Sequence, residues 1–250
     1  MPERGSTIKI TVDGQEVEAH EGESVLTAAR RVGIEIPALC YLEGLSVWGA
    51  CRLCVVEVSE LHGVRPACAT NVVEDMEVIT QTPKLQSYRR SILELLFAEG
   101  NHVCAVCVAN GNCELQDMAV ACGMDHVRFD LRSPERAIDA SHAKYVYDPN
   151  RCILCTRCVR TCDEIEGAHV WDVANRGHES YLVTGLGRQW SEALNCTWCG
   201  KCVAACPTGA LFYQGSAVGE MHHDPDLIRR LVSARRDHEW ILPDGDGGGR

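Results

Sequence analysis

Cys152, Cys155, Cys158 and Cys162 form a C-x2-C-x2-C-x3-C run, and Cys196, Cys199, Cys202 and Cys206 form a second with the same spacing. Thiolates this close let one loop wrap three corners of an iron–sulfur cubane, and soft sulfur is the ligand that such iron takes. The chemistry a cubane brings is the movement of single electrons. In two-run ferredoxins the fourth cysteine of each run ligates the other cluster. The pattern therefore predicts one [4Fe–4S] site from Cys152, Cys155, Cys158 and Cys206, and another from Cys162, Cys196, Cys199 and Cys202. The second run ends in Cys206-Pro207, as bacterial two-cluster ferredoxins do, whereas Cys162 is followed by Asp163. Zinc is the alternative, but it takes two C-x2-C pairs rather than two triplets with a trailing cysteine.

Sixteen cysteines stand in the 250-residue chain, and seven more of them fall into two further sets. Cys40, Cys51, Cys54 and Cys68 read C-x10-C-x2-C-x13-C. Four thiols in one loop region suit a [2Fe–2S] cluster, although plant-type ferredoxins space their first pair differently; zinc is again the alternative. Cys104, Cys107 and Cys113 supply three thiolates, and a [4Fe–4S] cluster needs a fourth ligand. Two side chains could provide it: His102, two positions before Cys104, and Cys122, nine after Cys113. His102 sits inside the dense ligand stretch and is the expected ligand. A neutral imidazole in place of a thiolate raises the cluster potential. Cys122 is then left as a buried small apolar residue. His20, His62, His126, His142, His169, His178, His222, His223 and His238 have no such context and are expected at the surface. Thr197 and Trp198 lie between ligands, where packing or shielding of a cluster from water would occupy them.

These loops need elements to hold them. Residues 7–12 alternate polar and apolar, Asp13-Gly14 follows, and residues 15–19 return: a hairpin pattern. Ser24 is placed to cap a helix through Val32, with Gly33 at its end. Thr82-Pro83 opens a second helix carrying Leu85, Tyr88, Ile92, Leu95 and Leu96 at helical spacing, with Gly100 as its stop. The expected class is α+β. A β-grasp [2Fe–2S] ferredoxin-like domain occupies residues 1–82, and a small helical His/Cys3 [4Fe–4S] domain residues 83–124. A two-[4Fe–4S] bacterial-ferredoxin-like domain spans 125–220, with an inserted hairpin at about 163–195. Residues 221–250 form a C-terminal helix, Asp226 to Asp237, and a Gly-rich tail expected to be disordered.

Composition narrows the function further. The formal net charge is −11, a poor match to nucleic acid. The N-terminal residues carry no apolar signal segment, and no stretch approaches the roughly 18 apolar residues of a membrane span. A cytoplasmic chain with clustered, reduced cysteines is expected. Gly185-Leu186-Gly187 falls short of a dinucleotide fingerprint, and no phosphate-cradling loop is present, so a nicotinamide or flavin is not expected on this chain.

The order of sites and two long stretches carry a family resemblance. Residues 99–116, EGNHVCAVCVANGNCELQ, and 150–169, NRCILCTRCVRTCDEIEGAH, resemble the small iron–sulfur diaphorase subunit (the HoxU type) of bidirectional NAD(P)-linked nickel–iron hydrogenases. The chain also resembles the N-terminal iron–sulfur module of the complex I large subunit and of iron-only hydrogenases, and a module of some NAD-linked formate dehydrogenases. Those first two usually place three residues between the histidine and the first cysteine; here only Val103 intervenes, as in the hydrogenase diaphorase subunits. The resemblance covers about residues 6–220. It implies a non-catalytic electron-transfer subunit with one [2Fe–2S] and three [4Fe–4S] clusters and no catalytic residues of its own. FMN and NAD(P) would sit on a diaphorase partner, and a hydrogenase small subunit and a nickel-bearing large subunit would complete the complex. Electrons would pass between NADH and H2 (H2 + NAD+ = H+ + NADH). A formate dehydrogenase or an electron-bifurcating complex is the alternative setting, and a zinc-bound structural module is the alternative of another class.

Overall fold

The computed structural model describes residues 7–59, 61–132 and 135–237. The Gly-rich stretch at the C-terminus and His238 lie outside the described residues, as do the first six residues.

Strands β1 (Thr7–Val12) and β2 (Gln15–His20) pair antiparallel across a two-residue turn. Asp13 (φ 49°) and Gly14 (φ 81°) are both left-handed there, as this twist-matched turn requires. Ser24 caps helix α1 (Val25–Arg31), its hydroxyl accepting from the Thr27 amide at 3.2 Å. Strands β3 (Val55–Val58), β4 (Leu61–Pro66) and β5 (Glu77–Ile79) complete a mixed sheet of order β2-β1-β5-β3-β4, in which β1 and β5 are parallel. Every second residue of β1 and β2 faces inward. Ile10, Val12, Val17 and Ala19 meet Leu26, Ala28 and Ala29 of α1, and Cys54 and Cys68 lie in the same core. The long loop from α1 to β3 carries Cys40 and Cys51 out of that core and into the neighbouring one.

Thr82 caps helix α2 (Pro83–Glu99), accepting from the Leu85 amide at 3.1 Å with proline in the first turn. Arg89, buried in the middle of α2, donates to the carbonyls of Val55 and Thr80 at 2.8 Å each, strapping the helix to the sheet. Helix α3 (Glu114–Ala121) packs against α2.

The remaining chain has a two-fold repeat. Strand β6 (Tyr145–Tyr147) leads through a cysteine loop into α4 (Arg157–Arg160), which widens into a π-type turn over Thr161–Glu166. A second cysteine loop leads into α5 (Lys201–Ala204) and strand β9 (Leu211–Tyr213), which pairs antiparallel with β6. Between the halves, β7 (Trp171–Ala174) and β8 (Tyr181–Thr184) form a hairpin. Helix α6 (Pro225–Asp237) lies over the loop at residues 42–45: Ile228 is buried with Leu42, Leu45 and Ala205. A Cβ on Gly44 would come within 2.7 Å of Val232.

Two buried arginines of α4 join all three regions. Arg157 donates to both carboxylate oxygens of Glu114, at 2.6 and 2.9 Å, and to the Tyr41 carbonyl at 2.9 Å. Arg160 donates to the carbonyls of Ser46 (2.5 Å), Cys40 (2.6 Å) and Cys155 (3.0 Å). A fixed guanidinium fork satisfies several carbonyls at once in a way a lysine cannot. Arg160→Ala would leave these buried acceptors without a donor, a loss on the order of 3 kcal/mol. The expected outcome is an earlier urea midpoint by circular dichroism under anaerobic conditions. An unchanged midpoint would show that water replaces the guanidinium without cost.

Candidate iron–sulfur centres

The two cysteine runs adopt the same unusual backbone. In the first, Leu154 (φ 52°) and Thr156 (φ 57°) are left-handed; in the second, the equivalent Trp198 (φ 62°) and Gly200 (φ 71°) are. Arg52, between Cys51 and Cys54, is left-handed as well (φ 56°). A Leu or Trp at positive φ costs free energy that the surroundings must offset. Alternating left- and right-handed residues curl the chain into a concave nest, with amides pointing at what the loop encloses. The Leu154 amide lies 3.4 Å from the Cys152 sulfur, and the Val170 amide 3.4 Å from that of Cys162. The strain therefore falls where a loop must wrap an electron-rich group.

Each expected set of side chains is brought together. The Cys40 thiol engages those of Cys51 and Cys68, and Cys68 in turn engages Cys54, so the four form one linked group. Thiols of Cys51 and Cys68 hold the Cys40 thiol down, to about 2, while both of those donors are raised. Cys152, Cys155, Cys158 and Cys206 lie close enough to feel one another's charge. Burial pushes Cys155 up to about 12 against the pull of Arg157, and burial followed by the neighbouring sulfurs pushes Cys158 well above the thiol range. Cys162, Cys196, Cys199 and Cys202 line one small pocket with Trp171, Trp190 and Trp198. His102, Cys104, Cys107 and Cys113 line another. Among the described residues, no three His, Cys, Asp or Glu side chains converge as tightly as a single metal ion requires. The last two quartets surround space instead, and buried thiols raised in this way are ones that bound iron would deprotonate.

An orphaned atom bears on the fourth ligand of the His102 set. His102 Nε2 is buried and has no hydrogen-bond partner, and the ring lines the cavity of the three thiols. The Leu96 carbonyl engages the imidazole, and burial pulls its pKa down to about 4, leaving it neutral as a ligand must be. Cys122 is absent from that lining; it ends α3 as a buried thiol, raised by burial, within the apolar core. Gly100 ends α2 at φ −125°, where any residue fits. What demands glycine is the imidazole: a Cβ there would stand 2.4 Å from Nε2. Gly209 plays the same part for Cys107, whose sulfur would be 2.5 Å from an added Cβ.

The Cys152/155/158/206 set lies next to the other three. Arg160 links the carbonyl of Cys155 to that of Cys40. Cys206-Pro207 runs beside the His102 set, where the Glu114 amide donates to the Pro207 carbonyl at 3.0 Å and Cys113 feels the Cys206 charge. Cys158 feels the charge of Cys202. The outer sets reach the surface. Cys199 is exposed, and Cys104 is partly so. The expectation that histidines other than His102 lie at the surface is corrected at two positions. His142 is 2% exposed because Tyr145, Trp190 and Trp198 enclose it. His223 is half-buried, its Nδ1 donating to the Val203 carbonyl at 2.8 Å. The side chain of His62 lies outside the described residues. Reading the sequence for ligands also missed Gly209, Arg157 and Arg160; the only local signal was two arginines inside a cysteine run.

Gly100→Ala and Gly209→Ala should each displace one ligand of the His102 set and leave the other sets intact. Iron per chain should then fall from about 14 to about 10, given one binuclear and three cubane sites. Both variants retaining full iron would place the fourth cluster elsewhere.

Three family models match in chain order. They describe a 2Fe-2S iron-sulfur cluster binding domain over residues 5–83, the NADH-ubiquinone oxidoreductase-G iron-sulfur binding region over 89–128, and the ferredoxin-like domain of NADH-quinone oxidoreductase subunit 3 over 145–212. The chain is 38% identical over 204 residues to the alpha subunit of the NADPH-Fe(3+) oxidoreductase of Geobacter sulfurreducens (strain DL-1 / KN400), a match covering 82% of this chain and 24% of that protein. It thus spans about a quarter of that relative's length, and the same share of an NADH-quinone oxidoreductase chain of Rhizobium meliloti (strain 1021) to which it is 40% identical over 208 residues. It is 34% identical over 206 residues to the gamma subunit of the NAD-reducing hydrogenase HoxS of Cupriavidus necator, covering 82% of this chain and 86% of that protein. A crystal structure of NAD+-reducing [NiFe]-hydrogenase in the H2-reduced state contains a chain that superposes with TM-score 0.80 at 36% identity, over 85% of this chain and 89% of that one. With its iron–sulfur domains in this order and its length matched almost throughout, the chain belongs to the family of the HoxS gamma chain, the iron–sulfur subunits of NAD(P)-linked hydrogenases and NADH oxidoreductases.

Proposed function

We propose that the chain is the electron-relay subunit of a cytoplasmic NAD(P)-linked hydrogenase, itself without a catalytic centre. It would carry single electrons between an FMN/NAD(H)-binding diaphorase subunit and a nickel–iron hydrogenase pair (H2 + NAD+ = H+ + NADH). The observation that carries this reading is the nearness of one largely buried ligand set, Cys152/155/158/206, to all three others. Clusters held by the four sets supply reversible one-electron redox steps, and their mutual closeness makes the sets a single branched conductor.

The chain's residues serve this in separable ways. Cys40, Cys51, Cys54 and Cys68 hold the [2Fe–2S] cluster; His102 with Cys104, Cys107 and Cys113, and the two crossed sets of the ferredoxin repeat, hold [4Fe–4S] clusters. Trp171, Trp190 and Trp198 wall one of those sites with apolar rings, excluding water from much of it. Arg157 and Arg160 keep the β1–β5 sheet region and the ferredoxin repeat in fixed register. Partners would approach where exposed apolar side chains neighbour the ligands in sequence. Leu194 and Trp198 are exposed on either side of Cys196, Val103 and Val106 on either side of Cys104, and Val47 and Trp48 a few residues before Cys51. No helix among the described residues is long and apolar enough to cross a membrane.

A second setting has its own support, because the matched module also lies within much longer NADH- and NADPH-linked oxidoreductase subunits. The relay would then serve a different terminal enzyme, such as a formate dehydrogenase or an electron-bifurcating complex. Anaerobically purified protein should contain about 14 irons and matching acid-labile sulfide, and reduction should produce EPR signals of both cluster types. In the assembled complex, Cys158→Ser should abolish H2-driven reduction of NAD(P)+. Dye reduction by NAD(P)H and by H2, each performed by a partner alone, should persist. Stoichiometric zinc with little iron would overturn the relay reading, and unchanged coupling in the variant would remove the central set from the path.

A further inference from the structure

His142 lies outside every ligand set, yet its position is held more firmly than packing requires. Its segment is anchored on both sides. The Asp139 and Tyr147 backbones exchange hydrogen bonds of 2.9 Å, the Ser141 amide donates to the Asp139 carboxylate at 2.9 Å, and the Gln214 side chain donates to the His142 carbonyl. The ring stacks on Tyr145 at a centroid distance of 4.8 Å and 20°, with Trp190 at 4.9 Å and Trp198 at 4.5 Å on its other sides. These contacts leave the imidazole one orientation.

That orientation fixes its tautomer. The Lys144 backbone amide lies 3.1 Å from Nδ1 and can only donate, so Nδ1 is the acceptor. In the neutral ring the proton is then on Nε2. Nε2 points at the Cys196 sulfur, 3.9 Å away, a separation the size of sulfur allows for an N–H···S contact. A phenylalanine would fill the same aromatic box; both ring nitrogens being aimed at partners is what packing alone leaves unexplained.

We infer that His142 donates a hydrogen bond from Nε2 to the sulfur of Cys196 and so raises the reduction potential of the cubane held by Cys162, Cys196, Cys199 and Cys202. A donor on a ligand sulfur stabilises the extra negative charge of the reduced cluster and favours its reduction. Here the donor belongs to the one set with an exposed ligand, Cys199. His142 is a positioning and tuning residue, not a ligand, and its effect is to make the outermost cubane a favoured resting place for an electron.

The inference rests on the cluster reading above, and the test separates the two. EPR-monitored redox titration of the whole anaerobic protein would follow the cubane signal that Cys199→Ser alters. His142→Phe, which keeps the aromatic box and removes the donor, should shift the midpoint of that signal to lower potential and leave the other cubanes where they are. His142→Gln, whose amide can donate to the same sulfur, should restore most of the shift. In the wild-type protein labelled with 15N-histidine, pulsed EPR should find a weak nitrogen coupling on the same signal, distinct from the stronger coupling of the His102 set. An unshifted midpoint in His142→Phe with full iron, a glutamine variant as low as the phenylalanine one, or no nitrogen coupling in the wild type would overturn the inference. Wild-type protein without iron at that site would overturn the cluster reading instead.

Discussion

The burial of sulfur governs this structure. Twelve of the sixteen cysteines are buried, in loops and in the short helical turns that follow them. A buried thiol keeps its proton unless a cation replaces it, and the raised values at Cys113, Cys155, Cys158 and Cys202 mark how far these sites are set against charge without metal. The rest of the chain is arranged around that demand. Left-handed residues at Leu154, Thr156 and Trp198 bend amides inward, glycines at 100 and 209 clear space for ligand side chains, and Arg157 and Arg160 bring the permanent positive charge that the surroundings of the thiols lack.

Much of this is legible from residue types and spacing. The Asp13-Gly14 turn, the Ser24 and Thr82 caps and the stop at Gly100 are readable because each is enforced within a few residues by backbone geometry. The grouping of the thiols is readable because a loop of fixed spacing offers few ways to enclose a cubane. What escapes is long-range. Nothing near Arg160 in sequence says that its partners are the carbonyls of Cys40 and Ser46, more than a hundred positions away. The polar neighbours Ser141 and Lys144 point His142 to the surface; the tryptophans that bury it come from residues 190 and 198. Gly100 reads as a helix stop, and the imidazole that excludes a side chain there only becomes visible once the chain has turned back on itself.

The internal repeat also explains an asymmetry. Both runs use left-handed residues at equivalent positions, but one has Leu and Thr there and the other Trp and Gly. The glycine is the position where the Tyr145 hydroxyl approaches to within 2.8 Å of where a Cβ would be. That hydroxyl in turn donates to the Trp198 carbonyl at 2.9 Å. In the second loop a phenol reaching across from β6 takes the space a side chain would fill, whereas the first loop carries Thr156 at that position. The duplicated backbone is the same, while what fills that position differs.

The arginine bridge from α4 to the loop at residues 40–46 bears on how such chains are inherited. A ferredoxin domain joined only by a linker can be gained, lost or exchanged by itself. Here the first region cannot be removed without stripping partners from two buried guanidinium groups in the third, and the second is held to the third through Glu114. The three regions form one heritable block, a cassette that must be copied whole. Relatives of very different total length share it as a continuous stretch in the same order, which is the pattern that such an indivisible unit would leave.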